Sequence, residues 1–89
     1  MNNMNEDFLK ELNNLIWKFI KIADELTNKF QYNVRFIGIR KVTSDYISVN
    51  FLYQYGYPVS DRIQQINIPL NDLENIDKIV AEIYNNEPI

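Results

Sequence analysis

Six apolar residues, Phe8, Leu12, Leu15, Phe19, Ile22 and Leu26, recur at alternating spacings of four and three. That spacing draws a single stripe along a helix of 3.6 residues per turn and predicts an amphipathic α-helix over residues 5–30. Leu9, Ile16 and Ala23 widen the stripe on one side, as a helix lying on a sheet requires. Glu6 and Asp7 stand where the positive end of the helix dipole favours acids. A coiled coil uses the same stripe, but about three heptads followed at once by strand-like sequence favour burial within the chain.

After residue 30 the period changes from 3.6 to 2. The run NVRFIGIRKV at 33–42 is β-branched and aromatic, and YISVNFLYQY at 46–55 alternates strictly. Both predict strands, joined by the short turn Thr43-Ser44-Asp45. In the second strand Ile47, Val49, Phe51, Tyr53 and Tyr55 share one face, the core face, and Tyr46, Ser48, Asn50, Leu52 and Gln54 share the other. In the first strand Val34 and Phe36 fall on one parity and Ile37 and Ile39 on the opposite one. A β-bulge at Gly38 is expected to let both pairs contribute. After Gly56-Tyr57-Pro58, residues 61–68 predict a third strand with Ile66 and Ile68 inward, and loops this short impose antiparallel neighbours.

Pro69 ends the strand. Asn71 or Asp72 is expected to cap a last helix carrying Leu73, Ile76, Val80 and Ile83 on one face, with Glu74 at the capping-box position. The expected architecture is α+β in the order αβββα: two helices packed on one face of a three-stranded antiparallel β-meander, one small domain over residues 1–89. Only residues 1–3 and 86–89 are expected to be loose.

Composition removes many chemistries. The chain has no cysteine and no histidine. No disulfide framework, thiolate zinc site or imidazole base is available. Its two glycines are far apart, so no phosphate-cradling loop forms, and the three serines have no histidine to activate them. Asp72, Glu74 and Asp77 lack the spacing of a calcium loop. No catalytic residue, cofactor or metal is expected. The longest apolar runs are two or three residues, too short for a membrane span. The polar, acidic N-terminus lacks the pattern of a secretory signal and makes the cytoplasm the expected setting. Thirteen Asn and thirteen Ile against two Gly and two Ala point to an A/T-rich genome, such as a low-GC bacterium, its phage or another mobile element.

Charge is uneven. Residues 1–30 carry a net −1, 31–69 a net +2 and 70–89 a net −4. Arg35 and Lys41, with Tyr46, are candidates for a nucleic-acid face on the outer side of the sheet. The element order resembles a double-stranded-RNA-binding domain, but the matching start of the second helix, Leu70-Asn-Asp-Leu-Glu-Asn-Ile-Asp77, has the wrong sign for phosphate. The same acids, Asp72, Glu74 and Asp77, suit a nucleic-acid mimic that occupies a basic groove. Size, element order, acidity and residue usage also resemble phage-encoded inhibitors of CRISPR nucleases and other defence systems, in type and not in motif.

The remaining candidates are aromatic. Tyr53, Tyr55 and Tyr57 run toward the loop where helix cover ends, and Trp17 lies roughly 150° from the centre of the helical stripe. Trp17 with Leu9 and Ile20 is expected to form a homodimer or partner contact, because aromatic residues dominate interface hot spots. The leading expectation is a non-enzymatic protein-binding module, of the kind a phage or mobile element uses to inhibit or adapt a host protein. Nucleic acid is a less favoured partner, and no membrane is expected.

Overall fold

The computed structural model describes residues 3–86, with side-chain environments given from Glu6 onward. Of the ends expected to be loose, residues 1–2 and 87–89 lie outside the described residues, whereas Asn3 and Asn86 are the end residues of helices. The order is α1 (Asn3–Phe30), β1 (Asn33–Val42), β2 (Tyr46–Tyr55), β3 (Ser60–Pro69), a 3-10 turn (Leu70–Asp72) and α2 (Ile76–Asn86). The three strands form an antiparallel sheet ordered β1-β2-β3. This is the expected αβββα meander with two helices.

α1 ends without glycine. Gln31 adopts a left-handed φ of 66°. Its backbone N–H donates to the Thr27 carbonyl at 2.9 Å and its side-chain amide to the Asn28 carbonyl at 2.6 Å. Two carbonyls that helix termination would orphan are thereby satisfied, which offsets the cost of the left-handed backbone. The chain reverses within two residues, and Thr27 ties helix to strand: its hydroxyl accepts the Val34 N–H at 2.9 Å and lies within donating distance of the Ala23 and Val34 carbonyls.

β2 is the central strand, and its burial follows its alternation except at Ser48, which is buried on the opposite parity. Ile47, Val49, Phe51 and Tyr53 are all buried, with Phe19, Ile22, Leu26, Val34, Ile68, Ile79, Val80 and Ile83 against them. Each such side chain contributes roughly 1.5–3 kcal/mol by leaving water. At the β1–β2 turn the Thr43 hydroxyl accepts the Asp45 and Tyr46 N–H groups at 3.1 and 3.0 Å, which fixes the reversal. At the β2–β3 turn Gly56 has a φ of 95°, a conformation that a side chain would strain.

β1 departs from the expected pattern in one detail. Phe36 pairs with Phe51 but Gly38 with Asn50, so Ile37 is the extra residue of a bulge. The bulge brings Ile39 onto the core face with Val34 and Phe36, and it leaves Ile37 50% exposed on the outer face. Both parities contribute as expected, but of the second pair only Ile39 does, and Ile37 stays out. A second irregularity follows between Ile39 and Lys41.

The start of α2 also differs. Asn71 and Asp72 belong to the 3-10 turn, and Asn75 caps the helix through Oδ1, which accepts the Lys78 N–H at 3.2 Å. Three good capping residues compete within five positions, and the last one takes the role. The intervening turn keeps Leu70, Leu73 and Ile76 against the core. Glu74 does not reach back to close a capping box; it crosses to Lys18 on α1 at 2.8 Å.

Candidate functional site

Three of the exposed large apolar side chains, Phe8, Leu9 and Trp17, lie on α1. A 28-residue helix is about 42 Å long, whereas a ten-residue strand covers about 33 Å. α1 therefore outruns the sheet. Leu15 is the first of its residues to pack on the buried core. N-terminal to it Phe8 is 63% and Leu9 61% exposed, and Leu12 is half-buried. The molecule is correspondingly long, 53 × 23 × 20 Å, with a radius of gyration of 14.3 Å against about 12 Å for a compact chain of this length.

Trp17 lies where the helical wheel puts it, off the sheet-facing side, and is 61% exposed. Its ring is not absorbed by α2 or by lysine stems. Leu9 shares its exposure, while Ile20 is half-buried in the seam between α1 and the start of β1, beside Val34 and Arg35. Leu9, Ile20 and Trp17 thus flank one side of the helix, and Phe8 adds a ring that sequence reasoning assigned to the core. The available signal was length: a helix longer than the strands behind it cannot be covered to its end.

The three tyrosines separate. Tyr53 is 0% exposed, with ring centroids 5.9 Å from Phe30 and 6.2 Å from Tyr32. It is core, and its position gives a partner no surface to touch. Tyr55 is half-buried, 5.2 Å from Tyr32, and only Tyr57 stands fully in solvent at the β2–β3 loop. The difference follows from α1 ending at Phe30, whose ring covers Tyr53 and reaches no further along β2.

The outer sheet face is built in cross-strand rows. Asn33, Gln54 and Asp61 form a polar row, with hydrogen bonds of 2.7 and 3.2 Å. Arg35, Leu52 and the exposed Ile63 form the next, and Lys41, Ser48 and Asn67 another. Arg35 and Lys41 stand opposite Leu52 and Ser48, four residues apart on β2 and hence about 13 Å. Tyr46 neighbours the Lys41 row. The three residues of the candidate nucleic-acid face are not one cluster, and Asp61 adds an acid to it.

The acidic candidates are partly neutralised within the molecule. Asp72 accepts the Lys78 ammonium at 3.0 Å, and Glu74 accepts Lys18 at 2.8 Å. The hydrogen bond from Lys18, then its charge, holds the Glu74 carboxyl below its ordinary range. The hydrogen bond to Asp72 raises the Lys78 ammonium above its usual value. Asp77 is exposed. Among the described residues no group of three or more acids converges to hold a metal ion, and no helix is long and apolar enough to cross a membrane.

The chain matches no protein-family model, no curated protein and no solved structure.

Proposed function

We propose that this chain is a non-enzymatic protein-binding module and that the exposed surface of α1 is its contact surface. The observation that carries the reading is the exposure of Phe8 and Leu9 on the segment of α1 that the sheet does not cover, and of Trp17 on the side of the docked segment that faces away from the sheet. At roughly 150–250 Å² per aromatic side chain, the Trp17 ring alone presents on the order of 130 Å² to water with Leu9 on the same flank, while Phe8, nine residues from Trp17, faces the opposite side of the helix. Large apolar side chains exposed among polar neighbours are the kind of surface that marks interaction sites. Trp is also the side chain most enriched among interface hot spots. The partner is a host protein met in the cytoplasm or a second copy of the chain, in keeping with a phage or mobile-element inhibitor or adaptor.

The competing surfaces are less well assembled. The basic residues of the sheet are dispersed, and two of the three carboxylates proposed for nucleic-acid mimicry already neutralise lysines. The test is the double substitution Leu9→Ala, Trp17→Ala in the full chain, followed by sedimentation over a concentration series, host-lysate capture and thermal melting. Association or capture is expected to be lost while the monomer melts as before. Retained association with a lowered melting temperature would sink the reading, because it would make Trp17 a stability residue.

A further inference from the structure

An open sheet leaves a row of backbone N–H and C=O groups along each outer strand, and proteins blunt such rows with bulges, basic side chains or proline. β1 is blunted. It has two breaks in register and carries Arg35, Arg40 and Lys41. β3 is not blunted: it pairs with β2 without interruption from Ser60 to Pro69, and residues 63–68, Ile-Gln-Gln-Ile-Asn-Ile, contain neither charge nor proline. Among the described residues, no hydrogen bond outside the sheet ladder reaches residues 63–69. Every second residue of this strand directs its backbone groups away from β2.

Beside this row runs a groove of about 300 Å³, between residues 64–69 and α2. Ile66 and Ile68 line it from the strand, and Ile79, Glu82 and Ile83 from the helix. An edge with unused main-chain groups and a trough alongside, here mixing isoleucines with Gln64, Asn67, Asp72 and Glu82, is the arrangement that strand addition uses, with backbone bonds giving affinity and alternate side chains giving selectivity. We propose that β3 accepts an added strand: an extended, basic segment of a partner protein pairs with residues 63–68, up to the block set by Pro69, and sends alternate apolar side chains into the groove against α2.

Charge selects this occupant over a second copy. Of the acids from residue 70 onward, Asp72 and Glu74 are tied to Lys78 and Lys18, and Glu82 stands exposed along the groove. Two-fold pairing of β3 with its own copy brings two such acidic segments together, and like charges at close range are unfavourable. A strand bearing lysine or arginine meets the opposite sign.

The test is a random nine-residue peptide library panned against the full chain. Synthetic copies of the enriched peptides are then followed by amide hydrogen exchange. Enriched sequences are expected to alternate apolar residues, to carry net positive charge and to protect amides within residues 63–68 while leaving β1 and α1 unchanged. N-methylation of alternate peptide residues should weaken binding at least tenfold. Glu82→Lys should weaken it several-fold without lowering the melting temperature, and should improve binding of the same peptide with acidic ends. The proposal is overturned by enrichment without alternation or positive charge, by protection on β1 or α1, by indifference to N-methylation, or by concentration-dependent protection of β3 in the protein alone. Trp17→Ala is expected to leave peptide affinity unchanged, so the edge and the α1 surface stand or fall separately.

Discussion

The two parts of α1 have one hydrophobic pattern and two fates. From Leu15 onward the stripe meets the sheet, and Phe19, Ile22 and Leu26 have no exposed surface. Before Leu15 the same spacing continues through Phe8 and Leu12, and Phe8 remains largely in water. The periodicity states which face of a helix wants cover. Whether cover exists depends on how far the opposing element reaches, and the strands are shorter than the helix. The docked part is architecture; the overhanging part, with an identical stripe, stays in water.

The comparison breaks most directly at two phenylalanines. Phe19 sits 5.4 Å from Phe36, ring centroid to centroid, inside the core. Phe19→Ala should cost about 3–5 kcal/mol through lost transfer energy and the cavity left behind. Phe8→Ala should change monomer stability by no more than about 0.5 kcal/mol, as for surface substitutions generally. Urea unfolding of both variants at a concentration where the chain is monomeric decides the matter. Similar losses would mean that the overhang is docked in solution and that the proposed surface is not free.

A smaller effect sharpens where the docked part is anchored. The Thr27 hydroxyl accepts the Val34 N–H at 2.9 Å across the two-residue reversal between α1 and β1. Thr27→Val keeps the β-branched shape but removes the oxygen, so the part-buried N–H loses its acceptor, at a cost of about 1–2 kcal/mol. Exchange of the Val34 amide should accelerate along with the fall in stability. If Val34 exchange stays slow, Thr27 is not the anchor.

The sequence was most informative where the pattern is self-contained. β2 alternates strictly because it is the central strand with one face on the helices, and its core residues were legible without reference to partners. The antiparallel order followed from loop length. What required coordinates depends on relations between elements. The bulge was expected, yet which of Ile37 and Ile39 it would turn inward depends on the register against Phe51 and Asn50. Asn71, Asp72 and Asn75 are all good caps, so local preference alone does not choose among them. Tyr53 and Tyr57 share a parity, and only the position of Phe30 makes one core and the other solvent-exposed. Trp17 was legible as exposed because the helical wheel places it far from the stripe. The β3 edge and its groove were not, since an edge is defined by the absence of a fourth strand.

The smallest expected effect lies at the boundary between the two parts of α1. Lys18, one turn inside the docked region, donates its ammonium to Glu74 at 2.8 Å and stands 3.4 Å from the Leu73 carbonyl, which ties α1 to the approach to α2. Lys18 holds the Glu74 carboxyl below its ordinary value of 4.5. The folded form therefore prefers the ionised carboxylate. The tie contributes fully above that ordinary value and is lost as pH falls through the lowered folded value. Lys78, raised above 10.5 chiefly by its hydrogen bond to Asp72, behaves in the opposite sense: its contribution is complete below that value and is lost as pH rises through the raised one. Glu74 is 89% exposed, so solvent and salt screen its tie and keep the effect small. The Tm difference between the parent chain and Glu74→Gln should be constant well above the ordinary value of 4.5 and should close as pH falls below it, and salt should shrink it throughout. If α1 is docked only from Leu15 onward, losing the tie should quicken amide exchange near Lys18 and leave residues 6–12 exchanging as fast as before. Equal acceleration across both stretches would show that the overhang depends on the same tie, and the division between the two parts would disappear.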